Sequence, residues 1–413
     1  MFTGLSLDQA PPFEAPLKFF LTAPIFSIIS GILFLNSGGV YLHSSQFIAS
    51  LHLVTIGFII MIAFGALLQM LPVVAGAVIK RSLLLANITF GLIVFGLISF
   101  VFGFLLGDVA YFFISTTLLF SGLFVFSYIA LYKLLTVQKK SWIIIGMILS
   151  LICFIIAFLI GSHLLVSYGT ENFSSFHTSF TYLHYNLIFF GFLFLLIVSI
   201  SFQVIPMFWV SDSYKEHEKK FILIATAVLL FIYLANIIFE LQIDLFYKFS
   251  IGFVCIYFAG LTIKKLYSRK RKLKDISVYF YYSSMIFLIL GIIFWIALEF
   301  FDLDYILLGT LFGIGFVATL MNGMLYKIVP FLTWFHLSSK GIFDIPTMRD
   351  MISIKKSQLQ YVIHILSILL LSFGFLFNSQ YLITYGLILF IISNILLFFY
   401  LLLCAKIYFN KKD

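Results

Sequence analysis

The chain has 413 residues, 63% of them hydrophobic and only 10% charged, with a mean hydropathy of +1.16. A soluble domain of this size and composition would leave large apolar surfaces in water, so a soluble enzyme is excluded and an all-α polytopic membrane protein is expected. The net charge of +9 resides in short basic clusters between apolar segments, which a membrane topology explains without nucleic acid as a partner.

Residues 1–16 carry Asp8, Glu14 and three prolines. They lack the positive flank and apolar core of a signal peptide, so they read as a cytoplasmic N-terminal segment and the first span as retained. A helix crossing about 30 Å of hydrocarbon needs roughly 20 apolar residues. That ruler predicts twelve spans, near 17–37, 50–75, 83–106, 110–133, 142–163, 182–209, 220–239, 243–266, 276–300, 304–335, 357–377 and 380–405. The membrane domain then covers 17–407 and a tail covers 408–413.

Basic residues recur on one side of these spans: Lys80 and Arg81, Lys139 and Lys140, Lys215 to Lys220, Lys264 to Lys274, Lys340 to Lys356, and Lys411 with Lys412. The other side holds Asp108, Glu171, Glu240, Asp244, Asp302 and Asp304, with Lys248 its lone basic residue. The positive-inside rule places both termini in the cytoplasm of a cell with the chain in its inner membrane, and makes the lipid bilayer the first partner. Cys153, Cys255 and Cys404 sit in separate spans without paired spacing and read as small buried hydrophobes. No Cys/His tract and no nucleotide-binding loop is present, so a structural zinc, covalent haem and a nucleotide partner are not expected. The 54 phenylalanines read as apolar filler in place of leucine.

Three predicted spans end alike: Gln69-Met-Leu-Pro72, Gln203-Val-Ile-Pro206 and Lys327-Ile-Val-Pro330. Four of the eight prolines lie at or before residue 24, which makes three more at matched depth the mark of a threefold repeat. The spans then group as arcs of four, about 17–133, 142–266 and 276–405. Proline frees a carbonyl inside a helix, so Pro72, Pro206 and Pro330 read as structural, and a polar side chain three residues earlier can satisfy that carbonyl. The functional alternative is an inner vestibule lined by Gln69, Gln203, Tyr326 and Lys327, with Asn322 on the same route.

The second span opens with His52, twenty residues before Pro72, and the sixth with His184, twenty-two before Pro206. At the matching depth of the tenth, between Leu308 and Thr310, there is no histidine. An imidazole at such a place either bonds a loop carbonyl or, facing the bundle interior, ligates haem iron or copper. His43, His163 and His177 belong to the same outer half; His177 and His184, seven apart, would share a helix face but lie about 10 Å apart along the axis, too far to hold one ion together. His336 and His364 read as isolated structural residues.

Twelve spans with cytoplasmic termini, three arcs of four, and His52 and His184 at the starts of the second and sixth resemble subunit I of haem-copper oxidases and nitric oxide reductases. Gly323-Met-Leu-Tyr-Lys-Ile-Val-Pro330 is similar to the end of the tenth helix in C-type oxidases, and the stretch from His52 through Gly65-Ala-Leu-Leu-Gln69 to Pro72 is similar to the second helix of the nitric oxide reductase branch. The resemblance implies haem b bound by His52 and copper bound by His184; His177 is a metal candidate from its place in the outer half alone. It also implies haem ligands in the tenth helix, where Leu308 and Thr310 stand, and copper ligands near the seventh, where 221–240 has no histidine. The chain is therefore expected to resemble degenerate members such as the NnrS group: an accessory protein of respiration or nitric oxide stress, not a competent terminal oxidase. Haem b is the expected cofactor, copper the second choice, and respiratory-chain proteins the implied partners. The rival readings are a small-molecule permease along the polar vestibule and a cofactor-free structural partner of a respiratory complex.

Overall fold

The computed structural model describes residues 9–37, 41, 42, 44–270 and 272–412. Among the described residues twelve helices are long and apolar enough to cross a membrane, and there is no strand. They are α1 (Glu14–Asn36), α2 (Ser45–Ala75), α3 (Ser82–Leu106), α4 (Val109–Leu135), α5 (Trp142–Thr170), α6 (His177–Trp209), α7 (Glu216–Phe239), α8 (Asp244–Tyr267), α9 (Ile276–Ala297), α10 (Tyr305–Ser338), α11 (Ile354–Leu376) and α12 (Gln380–Lys411). The number of spans is the expected one. Several helices run past the apolar ruler: α2 and α6 each begin five residues early and α12 continues to Lys411, so the tail expected at 408–413 is mostly helix.

Side-chain oxygens seal several N-termini. Ser44, Asp108, Ser141 and Asp304 accept the backbone N–H of Phe47, Ala110, Ile144 and Ile306 at 3.2, 2.9, 3.4 and 2.8 Å. Each bond satisfies one of the donors that a helix start leaves without an intrahelical acceptor.

The chain forms two compact units. The first comprises Met1–Ala10, Leu67–Lys272 and Ile292–Phe300; the second comprises Pro11–Ala66, Leu273–Gly291 and Phe301–Asp413. In the first unit α3 packs on α4, α4 on α5, α5 on α6 and α7 on α8. The α5–α6 seam is antiparallel and built on small residues. A Cβ added at Gly146 would lie 1.9 Å from Ser199 Oγ, and one at Gly191 2.7 Å from Cys153 Cβ. Backbones that approach this closely gain dispersion contacts, the main adhesive between helices in lipid.

In the second unit α1 packs on α2 and α12, α11 on α12, and α10 on α11 and α12. Three phenylalanines join α9 to α10 by filling glycine notches: Phe312 at Gly291, Phe287 at Gly315 and Phe280 at Gly323. A Cβ at those glycines would fall 2.5, 2.9 and 2.5 Å from the facing side chain. Leucine has neither the flat shape nor the reach for such notches, so these phenylalanines are more than apolar filler.

The spans carrying the proline motifs are set apart from the other nine. In α2, α6 and α10, 78% of the most apolar stretch is buried, against 33–50% elsewhere. Each continues through its proline and each contains a π-helical segment: Thr55–Ile60, Leu187–Phe194 and Thr310–Ala318.

Candidate functional site

The three π segments share one register. Ile60, Phe194 and Ala318 close them, each twelve residues before its proline at 72, 206 or 330. Counting three residues back from their first residues gives His52, His184 and Leu307. The spacings to proline of 20, 22 and 23 residues therefore differ only because the π segments are 6, 8 and 9 residues long. Met61 and Thr319 close their segments with N–H bonds to Ile56 O and Ile314 O, five residues back. An i to i+5 segment widens the helix and turns the side chains that follow, and such insertions are common where a helix serves a site.

His184 is half-buried, and its Nδ1–H donates to Ala157 O on α5 at 2.8 Å. Its ring lies over Gly161, where a Cβ would meet Cε1 at 2.7 Å. A carbonyl can only accept, so the proton sits on Nδ1 and the lone pair of the neutral ring on Nε2, which has no hydrogen-bond partner among the described residues. Two residues on, buried Asn186 donates from Nδ2 to Tyr182 O at 2.9 Å and accepts from Tyr247 Oη at 3.1 Å. Tyr247 in turn stacks on Tyr233 with centroids 4.4 Å apart, which anchors this end of α6 to α7 and α8.

His52 is also half-buried and donates Nδ1–H to Ile48 O, one turn earlier in α2, at 2.8 Å. It belongs to the second unit and His184 to the first. His177 shares a continuous α-helical turn sequence with His184 but is engaged elsewhere, edge-on to Tyr168 and Phe173 with centroids 5.6 and 4.8 Å apart. Its Nδ1 is buried without a partner. His43 lies outside the described residues. Among the described residues no three His, Cys, Asp or Glu side chains gather as a metal site.

At the proline end the three matched polar residues have separate fates. Gln69 is buried with no partner for Oε1, and Gln203 is half-buried. Lys327 pairs with Asp275, the residue before α9, whose Oδ1 also accepts the backbone N–H of Ser277 at 3.1 Å. Burial alone would raise the Asp275 carboxyl; the Lys327 ammonium and the two Ser277 bonds outweigh it and hold the pKa below the usual carboxylate value. Lys327 thus takes part in an ion pair at a helix start.

A polar network in the second unit was not foreseen from sequence. His364, in the middle of α11 and 1% exposed, donates Nε2–H to Thr319 Oγ1 at 2.9 Å. Thr319 Oγ1 donates onward to Ile314 O at 3.0 Å, and Asn322 Nδ2 stands 3.5 Å from His364 Nδ1. The chain of bonds has one polarity, from the Asn322 amide through the imidazole and the hydroxyl into the π segment of α10. Asn322 and Tyr326 share the Thr319 face of α10, and their Oδ1 and Oη are buried with no partner. One turn before His364, Gln360 donates to Ser393 Oγ of α12 at 2.9 Å, while its Oε1 is also partnerless. Such atoms are costly in a low-dielectric interior. The available sequence signal is the spacing of Ser357, Gln360, His364 and Ser367, a polar face at helical period on an otherwise apolar span. His336 is stacked on Phe13 with centroids 5.6 Å apart, and its Nε2 is buried without a partner.

Comparison with known protein families and with curated proteins finds no match.

Proposed function

We propose that this multi-pass membrane protein is an accessory, oxidase-subunit-I-like protein that binds haem b through His52, with His184, in the other unit, as a separate candidate ligand. The observation that supports it is the shared register: two imidazoles stand three residues before π segments that end twelve residues before a proline. Both rings donate Nδ1–H to a backbone carbonyl, the arrangement that orients a histidine ligand and raises its basicity.

The donor set fits haem better than copper. One protein imidazole suffices for haem iron, whereas a copper site draws on two or three ligands, and no three candidate ligands gather among the described residues. Leu307 fills the third register position, and α7 has no histidine in its apolar part. An oxidase-type binuclear centre needs ligands at such places, so the proposed role is sensing, haem handling or protection of respiration from nitric oxide rather than turnover. Bound haem would supply a redox-active, gas-binding iron. The chain's own part is to hold each ring neutral and oriented: Gly161 leaves room for the His184 imidazole and Ala157 O fixes its tautomer.

The test is the visible spectrum of the purified protein, oxidised and dithionite-reduced, beside His184→Ala and His52→Ala. A Soret band lost in a histidine variant is expected. A colourless wild type would sink the haem reading.

A second reading, a permease for a small polar solute, draws on the partnerless buried atoms of Asn322, Tyr326 and Gln360. It expects Asn322→Cys to react with a water-soluble maleimide in the folded protein, and an unreactive thiol there would count against it.

A further inference from the structure

In the first unit, the stretch after α2 and the end of α4 flank a wide-open cavity of about 660 Å³. Gly76 and Lys80 line one wall, and Lys133, Thr136, Gln138 and Lys139 the other. Lys80 and Lys139 are exposed and Lys133 is half-buried. None of these three lysines is in an ion pair among the described residues. From Pro72 to Thr170 the sole acidic residue is Asp108, at the other end of α3 and α4, so no carboxylate on these elements offsets the lysines or Arg81 and Lys140 beside them. Gly76 sits at φ +67°, and a Cβ there would meet nothing within 4 Å, so the wall it forms is open.

We infer that this cavity binds the phosphate of an anionic phospholipid between Lys80, Lys133 and Lys139. Cations clustered at a helix end, where a span leaves the hydrocarbon, attract anionic headgroups, and lysine stems reach such a plane by snorkelling. What favours a lipid over soluble phosphate is the surface beside the cavity. Leu83 and Leu84 at the start of α3 and Tyr132 and Leu135 at the end of α4 are exposed, at 37, 50, 54 and 51%. Two acyl chains would lie along those faces while the headgroup occupies the basic pocket. Thr136 keeps the turn closed by donating Oγ1–H to Lys133 O at 2.8 Å. The pocket shares no residue with the imidazole sites or the α10–α11 network.

Native mass spectrometry of the full chain in detergent, titrated with phosphatidylglycerol or phosphatidylcholine, tests the inference. Wild type should retain phosphatidylglycerol in preference to phosphatidylcholine. The variant Lys80→Gln/Lys133→Gln/Lys139→Gln should bind it roughly tenfold more weakly or worse, given the attraction each cation near the surface supplies. Lys264→Gln/Lys270→Gln/Lys272→Gln removes the same charge from another basic loop and should bind as wild type does. Should the triple variant misfold, Lys80→Gln and Lys139→Gln alone are each expected to weaken binding severalfold. Equal retention by the cavity variants and wild type, or no preference over phosphatidylcholine, overturns the proposal. Displacement of the lipid by millimolar inorganic phosphate would assign the pocket to a soluble phosphate and overturn it as well.

Discussion

Lys327 and Asp275 show what a single contact adds to a residue's reading. Lysine inside an apolar span invites a transport reading, yet its ammonium reaches a carboxylate 52 positions away in the chain. The folded-state pKa of Asp275 is lowered, so the stabilisation from the pair is complete above the usual carboxylate range and is lost as the pH falls through the lowered value. Lys327→Met should remove roughly 1–2 kcal/mol at neutral pH, once the partial exposure of both side chains is allowed for. Burial would then dominate the Asp275 carboxyl, so acid unfolding followed by tryptophan fluorescence in detergent should begin at higher pH than in wild type. An unchanged acid midpoint would show that the pair contributes nothing. His184 makes a parallel point: its place in the chain was legible, but the carbonyl it bonds and the glycine that admits its ring lie on another helix.

Among the elements, α10 carries the most structure that hydropathy cannot report. A π segment differs from α-helix in hydrogen-bond register and not in composition, so Thr310–Ala318 looks like any apolar stretch. Its trace in the sequence is the unequal spacing from His52, His184 and Leu307 to the prolines, readable only once the segments are aligned. The misjudged helix starts have a related cause: Ser45-Gln46 and His177-Thr-Ser lower the local hydropathy, while hydrogen bonding continues the helix beyond the hydrocarbon. Thr319 ties the π segment to α11, since its hydroxyl both donates to Ile314 O and accepts from His364. Thr319→Val keeps the shape and strands the imidazole N–H, so a loss of about 1–3 kcal/mol is expected. Thr333 is equally buried but bonds only Val329 O in its own helix, and Thr333→Val should cost less than about 1 kcal/mol. Denaturant unfolding of both variants in mixed micelles measures the difference; equal losses would mean that the α10–α11 link carries no stability.

For the whole molecule, the repeat and the compact units follow different divisions. The proline motifs recur once per four spans, whereas the second unit gathers the first span, parts of the second and ninth, and the last three from distant parts of the chain. Lys248, the lone basic residue on the acidic side, pairs with Glu299 and lies 5.2 Å from the Trp295 ring centre, so its charge is balanced locally. From the loop charges the positive-inside rule predicts that both termini face the cytoplasm. Single cysteines placed beside Lys139 and Lys270 should react with a membrane-impermeant maleimide only after cells are opened, and one beside Asp302 should react in intact cells. The reverse pattern would invert the topology. Twelve apolar spans, the charge bias and the matched prolines were determined by the sequence alone, because hydropathy, loop charge and the missing proline N–H act within a few residues of where they are written. The tertiary structure alone decided that Lys327 meets Asp275, that His184 rests on Gly161, and that Asn322, His364 and Thr319 join in one directed network. Each of those depends on which helix faces which, and in an apolar chain that choice is made by small residues and ring shapes whose fit appears only when the helices are packed.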